Sequence, residues 1–378
     1  MASRKTRRWW RCRHDRCALP SGQWAAQSGH IDAWHPCHDS GAASGSEMNT
    51  IDRRQFLERI VALGGGALAT AAFLSLLSCS KEPSPEPPSD NITPPPLPPS
   101  GAAYLAVVRG GNQTTPTTLV ERSIGALGGI ERFVKSGNDV IIKPNICGSG
   151  RTPEYASTTN PEVVAALVAL CLGAGAKRVR VMDRPFSGTS NDAYDNSGIA
   201  EAVHAAGGEM EVMTEMKFQN TPIPNGRSIT SCHVYRDILD TDVLIDVPIA
   251  KHHADTVLTL GMKNLLGVVD NAPSYHTGTV DMAERVTDLN TLVRPHLVVV
   301  DAIRILMDHG PTGGNLNDVK RMNTIIASHD IVAADSYGAT LFGKTADDLP
   351  IVRAGARRGL GTMDLASIDI EEIDVIDV

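Results

Sequence analysis

The larger part of this sequence contains no tryptophan and little cysteine. All four tryptophans lie within the first 47 residues, and only three of the seven cysteines follow residue 100. Those three, Cys147, Cys171 and Cys232, are widely spaced and odd in number, so the sequence predicts no disulfide framework. Because there is also no Cys-x-x-Cys motif, an internal iron–sulfur cluster is not expected.

Basic and aromatic residues are scarce as well. From residue 101 onward there are 24 lysines and arginines against 34 aspartates and glutamates, a net charge near −10. A nucleic-acid partner is not expected, because neutralising phosphates requires a basic face. Only four phenylalanines and six tyrosines remain in this region, which disfavours a sugar receptor that stacks its ligand on aromatic rings.

Residues 1–47 differ from the rest in composition and show no periodicity of 2 or 3.6 residues. The difference favours a misplaced start codon, with Met48 as the true first residue. The alternative is a zinc-binding segment. Its candidate ligands, Cys12, Cys17 and the group His35, Cys37 and His38, do not repeat as paired knuckles.

Residues 48–79 resemble a twin-arginine lipoprotein signal peptide. The pair Arg53-Arg54 precedes a mildly apolar run over 60–78. Leu76-Leu77-Ser78-Cys79 looks like a lipobox, in which Cys79 receives the lipid. The alternative is a permanent membrane anchor, because a run of this length could just cross a hydrocarbon core of ~30 Å. We expect the twin-arginine export machinery as a partner, and a location in the periplasm or at the cell surface on a lipid anchor.

Residues 80–100 form a proline-rich linker, with nine prolines between Pro83 and Pro99. Proline fixes φ and favours the polyproline II helix at ~3.1 Å per residue, so we expect a semi-rigid spacer of roughly 50 Å. The remaining residues, 101–378, are expected to form one folded domain.

Short apolar segments alternate with amphipathic helical patterns throughout that domain. This order predicts an α/β, Rossmann-like fold whose mainly parallel sheet is covered by helices on both faces. The expected strands are 105–108, 140–142, 179–182, 210–213, 243–247, 297–300 and 324–327. The clearest helix begins at Asn160-Pro161-Glu162, an N-cap followed by proline, and is ended by Gly173 and Gly175. Other helices are expected at 117–127, 199–206, 282–292 and 331–342, and a small antiparallel insertion at 223–235.

Polar side chains follow four of the expected strands. Lys143-Pro144-Asn145 follows the second, Asp183 the third, Lys251-His252-His253 the fifth and Asp301 the sixth. The carboxyl ends of parallel strands share one edge, where open α/β sheets bind ligands. These side chains are therefore predicted to line one crevice, although each of them alone could equally be an ordinary polar strand end.

Two glycine-containing segments extend the expected crevice. Residues 259–267 hold Lys263-Asn264 between Gly261 and Gly267, and the glycines indicate that the backbone closely approaches another group. The loop from Gly310 to Gly314 is either an ordinary turn or a lid that cradles an anion. It lacks the Lys-Ser/Thr ending of a nucleotide-binding P-loop.

Together these motifs resemble the bacterial and archaeal family called domain of unknown function 362. The resemblance, from Tyr104 onward, rests on Lys143-Pro144-Asn145, Pro161-Glu162-Val163-Val164, Val247-Pro248-x-x-Lys251-x-His253, Thr259-x-Gly261-x-Lys263-Asn264-x-x-Gly267, His276, Asp301, Gly310-Pro311-x-x-Gly314 and Ser328-x-Asp330-x-x-x-x-Asp335. It implies the fold and an exported protein, but no particular activity. Many members carry a ferredoxin-like cysteine segment; this sequence lacks it, so iron–sulfur chemistry is not carried over.

The sequence leaves three functions open, of which the least favoured is a structural partner domain of a surface complex, because nothing in the sequence marks an interface. The first is an enzyme that acts on or through an anionic ligand or cofactor, with lysine as a base or Schiff-base former and histidine as a proton carrier. The second is a tethered solute-binding lipoprotein with the same crevice and no catalysis. The expected catalytic residues are Lys251, His253, Lys263 and Asp301. The expected ligand-binding residues are Lys143, Asn145, Asp183, Asn264, His276, Gly310 and Gly314.

The cofactor is left open. A divalent metal held by His253 with Asp183 or Asp301 is the less favoured alternative, because Lys251 and Lys263 would repel a cation. No tight ligand spacing in the sequence selects one particular ion.

Overall fold

The computed structural model describes residues 98–270, 272–276 and 281–377. The twin-arginine pair, Cys79 and most of the proline-rich linker lie outside the described residues, so the leader and the anchor stay predictions. Among the helices that the structure describes, none is both long enough and apolar enough to cross a membrane.

The described residues contain twelve strands and nine α-helices. The strands are β1 (Leu105–Gly110), β2 (Asp139–Pro144), β3 (Arg178–Val181), β4 (Glu209–Met210), β5 (Phe218–Pro222), β6 (Ser231–Tyr235), β7 (Val243–Val247), β8 (Ile249–His253), β9 (Val257–Thr259), β10 (Leu297–Leu306), β11 (Val319–Ser328) and β12 (Ile370–Val375). The helices are α1 (Pro116–Ala126), α2 (Pro161–Gly173), α3 (Ser190–Asn196), α4 (Ile199–Ala205), α5 (Arg236–Asp240), α6 (Gly261–Asn264), α7 (Met282–Leu292), α8 (Ile331–Thr340) and α9 (Pro350–Arg357).

Ten of these strands form one mainly parallel sheet. Eight lie in the order β12-β1-β11-β10-β7-β2-β3-β4, while β8 pairs with β10 and with β9 beside this path. Strand β11 is antiparallel to both of its neighbours, and the other neighbouring pairs along the path are parallel. The expected α/β fold is therefore confirmed. Strands β5 and β6 pair separately, as the expected antiparallel insertion.

The sheet separates two hydrophobic cores. Ile141 of β2 packs in one core with residues of α7, α8 and α9, whereas its neighbours Val140 and Ile142 pack in the other with residues of α1, α2 and α4. Successive side chains of a strand point to opposite faces. The helices thus cover both faces, and the edge of the sheet is left for polar side chains.

Helix α2 begins and ends where the sequence predicts. The Asn160 side chain accepts a hydrogen bond from the Glu162 amide at 2.9 Å, and Pro161 occupies the first turn. Gly175, just after the helix, has a φ of 87°, a left-handed conformation that glycine adopts without steric cost.

Several strand boundaries differ from the prediction. Strand β10 does not end at Asp301 but continues to Leu306, because β11 pairs with it from Ser328 to Val319. Lys251-His252-His253 is not a loop; it belongs to β8, which follows β7 after Pro248 and pairs with the second half of β10. Strand β4 has only two residues, and β5 lies before the range expected for the insertion.

Candidate functional site

The ends of β2 and β3 are joined by a buried ion pair. Lys143 Nζ lies 2.6 Å from Asp183 Oδ1 and also donates to the carbonyl oxygen of Pro144 at 2.8 Å. The second Asp183 oxygen accepts from the Ile146 amide at 2.6 Å. A Cβ atom on Gly267 would stand 1.9 Å from Asp183 Oδ1, so the predicted close backbone approach is confirmed, and its target is this pair.

Asn264 connects this ion pair to the neighbouring strands. Its Oδ1 accepts from Lys143 Nζ at 3.1 Å and from Asn145 Nδ2 at 2.8 Å. Its Nδ2 donates to Asp246 Oδ1 at 2.7 Å. Because each end of the amide has a fixed partner, Asp246 determines which end of Asn264 faces the lysine.

Lys251 is a buried cation without a carboxylate partner. Its side chain is 1% exposed, and its Nζ donates to Asn145 Oδ1 at 2.8 Å and to the Ser157 carbonyl oxygen at 2.7 Å. Among the described residues, no carboxylate lies within ion-pair distance of this nitrogen. Burial lowers the pKa of Lys251, because desolvation disfavours the charged amine.

A second group of side chains lies at the solvent-facing end of β8. His253 is buried, and its ring stacks on His276 with centroids 5.7 Å apart. His276 Nδ1 lies 2.8 Å from Asp255 Oδ2, and its other nitrogen, Nε2, lies 3.5 Å from Lys263 Nζ. The chain Asp255–His276–Lys263 thus leads from an exposed acid through an imidazole to an amine.

Burial shifts the ionisation of this second group. Burial, with the Lys251 ammonium nearby, lowers the pKa of Lys263 to about 8. Burial and the Lys263 charge lower the pKa of His253 to about 3. The Lys251 charge contributes to the lowered pKa of Lys263, so the two amino groups lie near each other.

Lys263 lies on helix α6, whose first turn is fixed by Asp335. The carboxylate of Asp335 accepts from the amides of Gly261 and Met262 at 2.7 and 2.9 Å, which ties down the first turn of the helix. A Cβ atom on Gly261 would stand 3.0 Å from Asp335 Oδ1 and 3.2 Å from Asp246 Oδ2. The close approach predicted for Gly261 is confirmed, and again its target is a carboxylate of the protein.

The less favoured metal site, His253 with Asp183 or Asp301, is not among the groups of possible ligands that the described residues bring together. Asp183 is engaged by Lys143, and Asp301 by two backbone amides. Instead, His253 can combine with Asp255 and His276, whose ligand atoms all lie within 4.8 Å of one another. However, His253 Nδ1 accepts from the Asp255 amide at 3.1 Å, so using that nitrogen as a ligand requires this bond to break.

Asp301 lies inside the wall of the site. It is fully buried, and its two oxygens accept from the amides of Asn160 and Ile303 at 2.7 and 2.9 Å. Burial raises its pKa to about 6. These contacts hold the start of α2 against β10 and fit a structural role better than the catalytic role expected from its place after a strand.

The Gly310–Gly314 loop packs against β8. The Gly310 amide donates to His252 Nδ1 at 3.1 Å, and a Cβ atom at this position would stand 1.8 Å from the His252 carbonyl oxygen. Gly314 has a φ of 135° and faces Arg151. The glycines allow the loop to lie directly on the strand that carries Lys251.

Sequence reasoning missed Asp246, Asp255 and Asp335 as parts of this site. Asp246 had a signal, since a charged residue inside an apolar strand is rarely buried without a partner. Asp335 is part of the family motif, but it falls within the helix expected at 331–342 and follows no expected strand. Asp255 had none, because its role depends on a contact with His276, 21 residues later.

The mainly parallel sheet, covered by helices and lined at one edge by lysine and histidine side chains, places this protein in the α/β class. The model of the family described as Domain of unknown function (DUF362) matches residues 140–340, a range that contains every side chain of the site. The chain belongs to this family, and the resemblance seen in its sequence motifs is confirmed.

Two further comparisons accompany this match. The thylakoid-associated protein sll1697 of Synechocystis sp. is 29% identical over 246 residues, which cover 62% of this chain and 72% of the relative. The lactate racemase apoprotein from Thermoanaerobacterium thermosaccharolyticum matches with a TM-score of 0.37 and 10% identity. That match covers 64% of this chain and 58% of the racemase chain, a likeness too weak to carry an argument about function.

Proposed function

We propose that this protein is an exported, lipid-anchored enzyme that acts on or through an anionic small molecule. The observation that carries the proposal is the amino group of Lys251, which is buried, donates to two neutral oxygens and has no carboxylate within ion-pair distance among the described residues. A buried charge is costly unless it is paired. An anionic group bound between Lys251 and Lys263 would supply the missing charge.

The second half of the site favours an enzyme over a solute-binding lipoprotein. A binding protein needs cations to hold an anion, but it does not need an imidazole oriented by a carboxylate. The Asp255–His276 pair, 2.8 Å apart, holds a ring nitrogen beside Lys263. This arrangement is typical of proton transfer, in which one group fixes the tautomer and the other nitrogen exchanges the proton.

Anion binding can be tested by calorimetry with inorganic phosphate and with acetate. Replacing Lys251 by Met should weaken binding of the better anion by ~10-fold or more, since a hydrogen bond to a charged group contributes about 1.5–3 kcal/mol. The matched control is Lys177→Met, because Lys177 is exposed and has no place in the crevice. Equal affinities of the two variants and the parent protein would contradict the proposal.

Export and lipid anchoring rest on the leader sequence. Replacing both Arg53 and Arg54 with Lys should leave the precursor in the cytoplasm, because the export machinery reads the pair as an address. Replacing Cys79 with Ala should abolish lipidation. Mass spectrometry of the native protein tests both, and also the expected start at Met48: a peptide containing Trp24 or Trp34 would show that residues 1–47 are translated.

A further inference from the structure

The three lysines of the site differ in what their amino groups contact. Lys143 is ion-paired with Asp183, and Lys251 donates to two oxygens. Lys263 is only partly buried. Within the described part of the chain, its Nζ has one polar neighbour at hydrogen-bond distance, His276 Nε2 at 3.5 Å. Of the three amines, Lys263 is the least buried, and among the described residues no acceptor oxygen is hydrogen-bonded to it.

The contacts of His276 determine which of its nitrogens can take a proton. Nδ1 faces the Asp255 carboxylate at 2.8 Å, so this nitrogen carries a hydrogen. Nε2 then presents its lone pair to Lys263. The His253 ring is stacked beside the His276 ring, with the ring centroids 5.7 Å apart. A distance of 3.5 Å is long for a hydrogen bond, but such contacts are often loose before a ligand binds.

The backbone beneath Lys263 is fixed on both sides of the residue. Asp335 binds the amides of Gly261 and Met262, and the side chain of Asn264 is held by Asp246 and Asn145. A lysine on such a support keeps its direction, and only the far end of its side chain has to move towards a ligand.

We propose that Lys263 is a nucleophilic amine that condenses with the carbonyl group of an anionic carbonyl compound, whose anionic group faces Lys251. This rests on the proposed function, because it names the substrate class of the same crevice. His276 Nε2 takes a proton from the Lys263 ammonium group, and the free amine attacks the carbonyl carbon. The C–N bond forms as the carbonyl π electrons move to oxygen. The oxygen takes one proton from the newly bonded nitrogen and the proton held by His276, the C–O bond breaks, and the oxygen leaves as water. The product is a protonated imine, and one water is released for each carbonyl consumed.

The test uses pyridoxal 5′-phosphate as a probe, because it joins an aldehyde to an anionic group. After reduction with borohydride and peptide mapping, Lys263 should be the main labelled lysine. Pyridoxal, which lacks the phosphate, should label it ~10-fold more slowly if Lys251 contributes a charged hydrogen bond. That advantage of the phosphate should disappear in Lys251→Met.

Two further variants separate the role of His276 from a general loss of structure. His276→Gln should slow labelling of Lys263 by about 10²-fold, the usual contribution of a positioned proton acceptor. His309→Gln is the matched control, because His309 Nδ1 lies 2.9 Å from Asp318 in a similar imidazole–carboxylate pair with no lysine. It should leave the rate unchanged.

The outcomes distinguish this inference from the proposed function. Labelling spread over exposed lysines such as Lys177, or Lys263 labelled equally fast by both probes, would overturn the inference. If phosphate still binds and Lys251→Met still abolishes that binding, the proposed function survives. If phosphate does not bind and Lys263 is not labelled selectively, both the inference and the proposed function are overturned. Selective, phosphate-assisted labelling of Lys263 that depends on His276 is the supporting result.

Discussion

Two charged clusters in this domain use similar residues in opposite ways. The arginine cluster consists of Arg180 and Lys217 with Asp139, Glu211 and Asp237, and each of its cations contacts at least two carboxylates. The lysine cluster consists of Lys143, Lys251 and Lys263 with Asp183, and only Lys143 has an ion-pair partner among the described residues. Every cation of the first cluster has a carboxylate partner, whereas two of the three lysines of the second have none within ion-pair distance among the described residues.

This difference in carboxylate partners distinguishes a functional site from a structural cluster even when the reaction is not known. The paired charges of the arginine cluster hold β2, β3 and α5 to the segments that carry Glu211 and Lys217, and each cation there has a carboxylate partner. Cations that are desolvated without a counter-ion cost free energy, which a folded protein retains only where some other role requires it. The functional edge of the sheet is therefore indicated by lysines that lack a carboxylate partner, and not by the presence of charged side chains alone.

The largest effect is expected in the arginine cluster. Arg180→Met removes the buried cation shared by three carboxylates, which keep only the more exposed Lys217 and Arg178 as partners, and we expect the free energy of unfolding to fall by about 3 kcal/mol. Lys251→Met removes an unmatched charge and should cost about 1 kcal/mol, for the two acceptor oxygens left behind. Urea unfolding of both variants measures the fall in the free energy of unfolding. Similar falls in the two variants would contradict the difference between the clusters.

A smaller effect is expected where the backbone touches the one ion pair of the lysine cluster. Gly267→Ala places a Cβ 1.9 Å from Asp183 Oδ1 and 2.7 Å from Lys143 Nζ, so the pair must move. We expect a loss of about 2 kcal/mol, within the range for overpacked sites. The control is Gly173→Ala on α2, which has nothing within 4 Å and should stabilise the protein by about 0.5 kcal/mol. A stable Gly267→Ala protein would show that the pair tolerates displacement.

Sequence reasoning succeeded where a residue's role follows from its place in one element. Lys143 and Asp183 follow apolar strands, and Asn160-Pro161 begins a helix, so local patterns sufficed. It was less successful where pairing between distant segments decides the outcome. Asp301 seemed to end a strand, but the pairing of β11 extends β10 beyond it. The contact of Asp255 with His276 depends on how two turns meet, which periodicity does not encode.

The two clusters should also give opposite pH dependences. Burial raises the pKa of Asp335, beneath the lysine cluster, to about 7. Its contribution to stability is therefore full below its unfolded pKa of ~3.9 and is lost as the pH rises through about 7. In the arginine cluster burial opposes the ion pairs, but the pairs prevail and lower the pKa of Asp237. Its contribution is present above pH ~4 and is lost as the pH falls.

Urea unfolding between pH 3 and 8 separates these two terms. Asp335→Asn should remove part of the decline in stability between about pH 4 and pH 7, and Asp237→Asn should remove part of the loss below about pH 4. Each substitution should change the slope of the free energy of unfolding against pH in its own pH range. The same slope in both variants would contradict the assignment of opposite signs.

The smallest expected effect is a difference in acylation rate between one lysine of each cluster, measured within the same protein. Only the neutral amine reacts with acetic anhydride, so the acylation rate follows each lysine's pKa. Lys263, with a pKa of about 8, should be half neutral near that pH. An ordinary lysine has a pKa of ~10.4. In Lys217, the hydrogen bond to Glu211 raises the pKa above the ordinary value, although its side chain is 43% exposed. Peptide mapping after brief acylation at pH 7, 8 and 9 should therefore show Lys263 reacting first and levelling off, while Lys217 reacts slowest despite its greater exposure. If Lys217 reacted faster than Lys263, reactivity would follow exposure. The lack of a carboxylate partner would then not have changed the chemistry of Lys263, and the two clusters would differ only in their contribution to stability.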